Sequence, residues 1–190
     1  MFNENWYSEE QCVELKKLVD SVKELSGNII EIGCWEGKSA SHIANTCYPE
    51  VLVCNDTWLG NVAESEMTGI IHPTEQILRE RDVFSCFINN MNSLTKGNYT
   101  VVKKDCIEWL KTYKEPRKFI HIDASHEYNS VYKTIQLALP RMVKGGIMCG
   151  DDFLTANIDR GDLGGGVGRA VVDSFPDFRN IGNLWYVRFP

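Results

Sequence analysis

The sequence predicts an α/β domain in which helices cover both faces of a mostly parallel, doubly wound sheet. Short apolar runs alternate with segments that carry apolar residues at helical spacing, which is the pattern of consecutive strand–helix units. The final residues form two strand-like runs around Gly182-Asn183, a pair that favours a tight antiparallel hairpin. A chain of 190 residues that is 43% hydrophobic fits a single domain over residues 1–190.

The first element is a helix within residues 1–27. Ser8 and Gln11 have the spacing of a capping box, and apolar residues from Val13 to Leu25 recur at helical intervals before Gly27 ends the helix. Strands are predicted at residues 28–33, 51–55, 99–104, 118–123 and 145–150. Further helices are predicted at residues 38–47, about 74–91, 106–113, 128–139 and about 167–175. Ligands of such sheets bind at the carboxyl ends of the strands, so the residues that end each strand are the first site candidates.

Residues 57–98 fit this alternation least well. They hold Trp58, Gly60, Gly69 and Pro73 but no motif that indicates a known role. We expect this segment to be an insert on the substrate side of the sheet, where it would shape the pocket.

The overall charge and the cysteines make some classes of protein improbable, namely nucleic-acid-binding proteins and proteins with a structural zinc site. A formal net charge of −6 disfavours nucleic acid as a partner, since such proteins usually have a basic surface. The seven cysteines include no C-x-x-C pair, and several lie in apolar runs, which predicts buried reduced thiols rather than a structural zinc site. The polar N-terminus does not look like a signal peptide, and no apolar run is long enough to span a membrane. We therefore expect a cytoplasmic protein that binds neither nucleic acid nor membranes.

The stretch E-I-G-C-W-E-G-K-S-A, residues 31–40, looks at first like a phosphate-binding loop. A Walker A loop, however, is one residue longer between its glycines than the span from Gly33 to Gly37. A dinucleotide fingerprint needs a glycine where Trp35 stands. The turn still offers backbone N–H groups and a helix N-terminus to a carboxylate, with Ser39 as a further donor. S-adenosylmethionine fits these features, because it has a carboxylate and a ribose but no phosphate.

Acidic residues at the strand ends suit this ligand. Asp56 lies 23 residues after Gly33, near the spacing at which an acid binds ribose hydroxyls. Asp105, at the end of the third strand, could bind the adenine amino group. Each acid also precedes a helix or a turn, so helix capping is the alternative for any one of them. Several acids in the right order favour ligand binding.

Two later blocks extend this pattern: I-D-A-S-H-E-Y at residues 122–128 and L-P-R-M-V-K-G-G-I-M-C-G-D-D-F at 139–153. Together with the first motif they resemble class I S-adenosylmethionine-dependent methyltransferases. The first motif is similar to the catechol O-methyltransferase-like branch, and the later blocks are more similar to methyltransferase family 24 and the macrolide sugar O-methyltransferases. The resemblance covers about residues 28–190 and implies a Rossmann-like seven-stranded sheet whose last strand is antiparallel.

The sequence pattern and the resemblance together predict which residues contact the cofactor, S-adenosylmethionine. They are Glu31, Gly33, Trp35, Gly37, Ser39, Asp56, Asp105, Cys106 and Asp123. The glycines and Ser39 would hold the methionine end, Asp56 the ribose, and Cys106 the adenine through its backbone. Trp35 would pack on the ribose or the adenine, or else serve as ordinary cover of the cleft.

Three aspartates at neighbouring strand ends suggest a metal site. Asp123, Asp151 and Asp152 would repel one another unless a divalent cation lay between them, and Mg²⁺ or Mn²⁺ accepts such oxygen ligands. The resemblance implies the same metal positions, with a basic residue shortly after the first acid as catalytic general base; here that residue is His126. The alternatives are that Asp123 binds the methionine amine, that the other two aspartates cap a loop, and that His126 is an exposed loop residue.

These features predict an enzyme that transfers the methyl group of S-adenosylmethionine to a small-molecule hydroxyl, such as that of a sugar or a vicinal diol. The metal would acidify the hydroxyl and His126 would accept its proton. A metal-dependent hydrolase with the same acids is one alternative, although it has no use for Ser39 and Asp56. A non-catalytic cofactor-binding module is another. The sequence leaves open whether the chain acts alone or as a homodimer.

Overall fold

A seven-stranded sheet forms the centre of the part of the chain that the structure, a computed structural model, describes: residues 2–4, 6–153 and 163–190. The strands are β1 (Asn28–Ile32), β2 (Leu52–Asp56), β3 (Tyr99–Lys103), β4 (Arg117–Ile122), β5 (Met142–Gly150), β6 (Arg179–Ile181) and β7 (Leu184–Arg188). Their order in the sheet is β3-β2-β1-β4-β5-β7-β6. β1 to β5 are parallel, whereas β7 is antiparallel to both of its neighbours. The predicted Rossmann-like α/β fold with a C-terminal antiparallel hairpin is confirmed.

Helices cover both faces of this sheet. They are α1 (Glu9–Asp20), α2 (Lys38–Cys47), α3 (Val62–Thr68), α4 (Pro73–Glu80), α5 (Val83–Leu94), α6 (Cys106–Thr112), α7 (Tyr128–Ala138) and α8 (Leu163–Ser174), with a 3₁₀ helix at Leu139–Arg141. Ile29 of β1 belongs to a buried cluster with α1, α2 and α5, whereas Ile30 and Ile32 belong to a second cluster with α6, α7 and α8. Neighbouring strand residues point to opposite faces, so the two clusters are the two sides of the sheet.

Local sequence determines where several helices begin. The capping box is confirmed: Ser8 Oγ accepts a hydrogen bond from the Gln11 N–H, and the Gln11 side chain accepts one from the Ser8 N–H. α5 and α6 begin after Asp82 and Asp105, whose carboxylates accept hydrogen bonds from N–H groups of the first turn. α2 differs, because its N-cap is Gly37 with φ +86°, which offers no side-chain cap.

Several boundaries differ from the prediction. The helix expected at about 74–91 is two helices, because the backbone is extended at Arg81 and Asp82 starts a new helix. Residues 62–68 form an additional helix, and β5 begins at Met142. α8 begins at Leu163 instead of 167. Of the glycine-rich stretch at residues 161–168 in the sequence, residues 161–162 lie outside the described residues.

The strand order defines where a ligand would bind. From β1 the chain proceeds through β2 and β3 on one side and through β4 and β5 on the other. The crevice outside the carboxyl ends of β1 and β4 is therefore the switch point at which ligands of such sheets bind. The segment 57–98 connects β2 to β3; α5 packs into the core, whereas residues of α3 and α4 line the crevice. Within the described residues, no helix combines the length and apolar character needed to cross a membrane.

Candidate active site

A cavity of about 810 Å³ opens at the carboxyl ends of the parallel strands. Residues at all five parallel strand ends line it: Gly33, Asn55, Asp56, Lys104, Asp105, Asp123, Asp151 and Asp152. The volume lies within the range of about 300–1,000 Å³ that holds small-molecule ligands. The cavity thus occupies the switch point that the strand order defines.

The loop from Gly33 to Gly37 forms one wall of the cavity, which we call the loop side together with Asp56 and Asp105. Gly33 has φ +84°, and a Cβ there would overlap the backbone carbonyl of Asp123. Only glycine fits, because any side chain would push the loop away from the end of β4. The backbone can therefore approach a ligand closely at this point.

Asp56, at the end of β2, holds this loop in place. Its Oδ2 accepts hydrogen bonds from the Cys34 N–H at 2.8 Å and the Trp35 N–H at 2.9 Å, and its Oδ1 accepts one from the Trp58 N–H at 2.7 Å. Burial raises the pKa of Asp56, and these N–H donors act against that rise. Asp56 lines the cavity, as a ribose-binding residue must. The sequence motif does not predict that Asp56 also holds the Gly33 loop through hydrogen bonds.

Four other predicted cofactor residues, Trp35, Ser39, Asp105 and Cys106, also line the cavity. Asp105 caps α6 as well, since its Oδ1 accepts a hydrogen bond from the Glu108 N–H at 2.9 Å. One carboxylate oxygen of Asp105 therefore caps the helix, as the alternative interpretation expected. The residue nevertheless also lines the cavity.

Glu31 and Gly37, also predicted to contact the cofactor, do not line the cavity. Glu31 is fully buried inside β1, and its Oε1 lies 3.1 Å from His121 Nδ1. Side chains along a strand point to the faces of the sheet, so a residue before the strand end is directed into the packing. Gly37 caps α2, and a side chain there would meet Phe87 and Met91. The structure therefore does not bring these two residues to the ligand cavity.

An N-terminal strap, residues 2–4, 6 and 7, adds to the loop side. It contributes Phe2, Glu4, Trp6 and Tyr7 to the lining. The backbone N–H and the side-chain Nδ2 of Asn3 each donate a hydrogen bond of 2.7 Å to Glu36. Arg81 pairs with both Glu4 and Glu36. These contacts fasten the strap to the loop and to the end of α4.

His126, beyond the end of β4, lies between two carboxylates. Its Nδ1 is 3.2 Å from Glu64 Oε2, and its Nε2 is 2.8 Å from Asp152 Oδ2. Burial alone would lower the pKa of His126, but the hydrogen bonds and charges of Asp152 and Glu64 outweigh it and raise the pKa to about 10. An imidazole that donates from both nitrogens has no lone pair for another proton. Both ring nitrogens of His126 thus contact carboxylates, and its role as general base stays a prediction.

The three aspartates predicted to share a metal ion do not converge in this structure. Asp151 Oδ1 accepts a hydrogen bond of 2.5 Å from Gln11 Nε2, while Asp152 turns to His126. Within the described residues, two groups of three side chains hold potential ligand atoms within 4.8 Å of one another, and neither includes these aspartates. An amide and an imidazole thus direct the carboxylates away from a common point. They still interact, because burial and the charges of Asp151 and Asp152 raise the pKa of Asp123.

Glu64 and His72 complete what we call the histidine side of the cavity, together with His126 and Asp152. Glu64 is buried in α3, and His72 precedes α4 with its ring stacked on that of His126 at a centroid distance of 5.9 Å. The sequence does not identify Glu64, because it lies 62 residues before His126 in a segment without a motif. His72 lies in the same segment, and no sequence motif identifies it either.

A comparison with protein families identifies the chain. The model of methyltransferase family 24, a methyltransferase domain, matches residues 30–153. The chain belongs to this methyltransferase family. It is therefore an enzyme whose methyl donor is S-adenosylmethionine, and the hydrolase alternative is set aside.

Solved structures of methyltransferases have the same fold as this methyltransferase. The O-methyltransferase NovP is 15% identical with a TM-score of 0.70, over 95% of this chain and 79% of that one. The calicheamicin methyltransferase CalS11 is 16% identical with a TM-score of 0.62, over 96% and 80%. TomG from Streptomyces achromogenes, an O-methyltransferase in complex with S-adenosylmethionine, is 15% identical with a TM-score of 0.65, over 96% and 81%. No curated protein has significant sequence similarity to this methyltransferase.

The loop side has the chemistry that S-adenosylmethionine requires. Its ribose hydroxyls and adenine amino group are hydrogen-bond donors that suit the carboxylates of Asp56 and Asp105, both of which line the cavity. Its ammonium and sulfonium charges suit Asp123, whose pKa is raised by burial and by neighbouring carboxylates, so that a positive group beside it would be stabilised. The residues of the methyltransferase therefore fit this donor, and the contact of each with it remains a prediction.

Proposed function

We propose that this methyltransferase transfers the methyl group to a hydroxyl of a small molecule. The observation that carries the proposal is that one cavity of about 810 Å³ includes both the loop side and the histidine side. Donor and acceptor can then lie together, with the acceptor oxygen in line with the methyl group and the sulfur. Two of the structural relatives, NovP and TomG, are O-methyltransferases, which supports oxygen as the acceptor atom. The net charge of −6 supports a small acceptor rather than a nucleic acid.

We further propose that a divalent cation, Mg²⁺ or Mn²⁺, assists at Asp123, Asp151 and Asp152, whose carboxylates would turn toward the ion when it binds. All three carboxylates line the cavity, and hard oxygen ligands are those that these ions prefer. The raised pKa of Asp123, which comes from burial and from the two neighbouring carboxylates, means that a positive charge among them would be stabilised. When bound, the ion would lower the pKa of the acceptor hydroxyl. Asp152 uses Oδ2 for His126, so Oδ1 would be its ligand atom.

The residues of the chain have distinct tasks in this reaction. Asp56 keeps the Gly33 loop against the end of β4, which fixes the donor. His126 holds Asp152 in position through the contact of its Nε2 with Asp152 Oδ2. The N-terminal strap excludes water from the loop side, since its residues line the cavity there.

The test is a mass-shift screen with S-adenosylmethionine and acceptors that present a sugar hydroxyl, a vicinal diol, a catechol or a primary amine. We expect a product heavier by one methylene unit from a hydroxyl acceptor, and its loss in Asp123→Asn. Excess chelator should stop turnover while calorimetry still detects donor binding. Full turnover in chelator would remove the metal from the proposal, and methylation of the amine alone would contradict the hydroxyl. Donor binding with no product from any acceptor would favour a non-catalytic module.

A further inference from the structure

We infer that Glu64, His72 and His126 form a binding site for a transition-metal dication such as Zn²⁺ or Co²⁺, separate from the aspartate site. One potential ligand atom from each of the three side chains lies within 4.8 Å of the other two. All three residues line the cavity, so an ion among them would face a bound acceptor. The donor set of two imidazoles and one carboxylate is typical of zinc and of other transition metals, whereas Mg²⁺ prefers oxygen ligands alone.

The distances between the ligand atoms suit a tetrahedral ion. Glu64 Oε2 lies 3.2 Å from His126 Nδ1 and 3.6 Å from His72 Nε2. Ligand bonds of about 2.0–2.1 Å at tetrahedral angles place neighbouring ligand atoms about 3.3 Å apart. These two spacings bracket this value, and the group as a whole holds its three ligand atoms within 4.8 Å of one another.

Glu64 is held in the orientation that such an ion requires. Its side chain is only 2% exposed, so the carboxylate cannot swing into solvent. Its second oxygen, Oε1, accepts hydrogen bonds from the His126 N–H at 2.7 Å and from the Ser125 hydroxyl at 3.0 Å. These bonds direct Oε2 toward the two imidazoles, and they keep it there whether or not the histidines carry protons.

Both histidines have a partner on the nitrogen that would not bind the ion. His72 Nδ1 lies 2.8 Å from Thr74 Oγ1, and His126 Nε2 lies 2.8 Å from Asp152 Oδ2. With the proton of His126 on Nε2, the lone pair of its Nδ1 points toward Glu64. His72 Nδ1 accepts a hydrogen bond from the Thr74 N–H at 3.3 Å, so binding of an ion at Nε2 would move the His72 proton to Nδ1, from which it would be donated to Thr74 Oγ1. A ligating histidine that donates its other N–H to a carboxylate or hydroxyl is the usual arrangement around bound metals.

The alternative to a metal site is a set of hydrogen bonds that the protonated histidines donate to Glu64. A metal site binds a dication, whereas this hydrogen-bonded set does not. Titration of the metal-free full-length protein with Co²⁺ alone, followed by visible absorption and calorimetry, separates them. We expect one equivalent to bind with the visible bands of cobalt in a nitrogen and oxygen environment. His72→Gln and Glu64→Gln should each weaken binding by at least about tenfold, as loss of a ligand does.

Two control variants make this result specific. His42, which is half-buried on α2 and does not line the cavity, serves as the matched histidine, and His42→Gln should leave Co²⁺ affinity unchanged. Asp123→Asn, which removes a residue of the aspartate site, should change it by less than about twofold. Circular dichroism of every variant excludes misfolding, and His72→Gln keeps the test valid if Glu64→Gln does not fold.

Several outcomes would overturn the inference. These are the absence of Co²⁺ binding, binding that survives both His72→Gln and Glu64→Gln, and binding that is lost in Asp123→Asn. A strong near-ultraviolet band from cobalt–thiolate bonds would instead point to the cysteines, of which Cys34 and Cys54 form the other three-residue group with Glu31. Binding of Co²⁺ does not depend on the proposed function, because neither donor nor acceptor is present. Only a contact between this ion and the oxygen of a bound acceptor would rest on the proposed function.

Discussion

The loop side and the histidine side of the cavity are built in different ways. On the loop side the backbone forms the wall: Gly33 passes against the end of β4, and Asp56 accepts hydrogen bonds from two loop N–H groups. On the histidine side, side chains from α3, from the turn before α4 and from the ends of β4 and β5 meet one another. The first side depends mainly on the strand–turn–helix geometry of β1 and α2, whereas the second takes Glu64 and His72 from the segment of residues 57–98. Substitutions on the loop side should therefore reduce both stability and donor binding, whereas substitutions on the histidine side should have small effects on both.

The largest effect should come from Gly33→Ala. The new Cβ would overlap the Asp123 carbonyl, and the residue would have to adopt a positive φ. We therefore expect the free energy of unfolding to fall by at least about 4 kcal/mol. Donor binding should be lost as well. Gly182→Ala is the matched control, because Gly182 has φ +58° but no atom within 4 Å of a Cβ; it should cost only about 1 kcal/mol. Urea denaturation measures both. Equal costs would mean that close packing at Gly33 is unimportant.

Asp56→Ala should have the next largest effect. It leaves three backbone N–H groups without their carboxylate, so we expect a loss of about 3 kcal/mol in stability together with weaker donor binding. Denaturation and calorimetry with S-adenosylmethionine measure the two effects. If donor affinity fell while stability stayed the same, Asp56 would be a ligand contact only and the loop would not need its support.

Arg81→Gln should have a smaller effect, because Arg81 is partly exposed. The change leaves Glu36, which is 3% exposed, without its cationic partner, and we expect a loss of about 2 kcal/mol. Arg79→Gln, on an exposed position of the same helix, should change stability by less than about 0.5 kcal/mol. Protease cleavage near the N-terminus should become faster in the first variant alone; equal rates would show that Arg81 does not hold the strap.

The smallest effect should come from the histidine side. His72→Gln removes a helix-capping side chain and one contact to Glu64, so we expect a loss of at most about 1 kcal/mol. Donor affinity should stay within about twofold of the original, since the loop side is untouched. A large loss of donor binding would contradict the division of the cavity into two independently built sides.

The same division explains what the sequence could and could not predict. The strands and the Gly33 turn follow from apolar runs and from glycine at a position that permits no side chain, both of which are local in sequence. The partners of His126 do not follow, because Glu64 reaches it from a segment 62 residues away whose helix carries no motif. The sequence therefore predicts the place of His126 at the strand end but not the two carboxylates that determine its chemistry. Glu31 was expected to contact the cofactor because it stands in the first motif. Strand alternation instead directs its side chain into the core.

The N-terminal strap has a consequence for the timing of turnover. Trp6 packs on Trp35 at a centroid distance of 5.7 Å, and Glu4 and Glu36 share Arg81, so a donor bound at the loop side, as proposed, would be covered by residues of the chain itself. The strap contains no helix or strand, and such segments open locally at little cost in free energy. Each exchange of spent for fresh donor would then wait for the strap to lift. Because one of its fastenings is the ion pair of Glu4 with Arg81, added salt should shorten the residence time of the product without altering the chemical step.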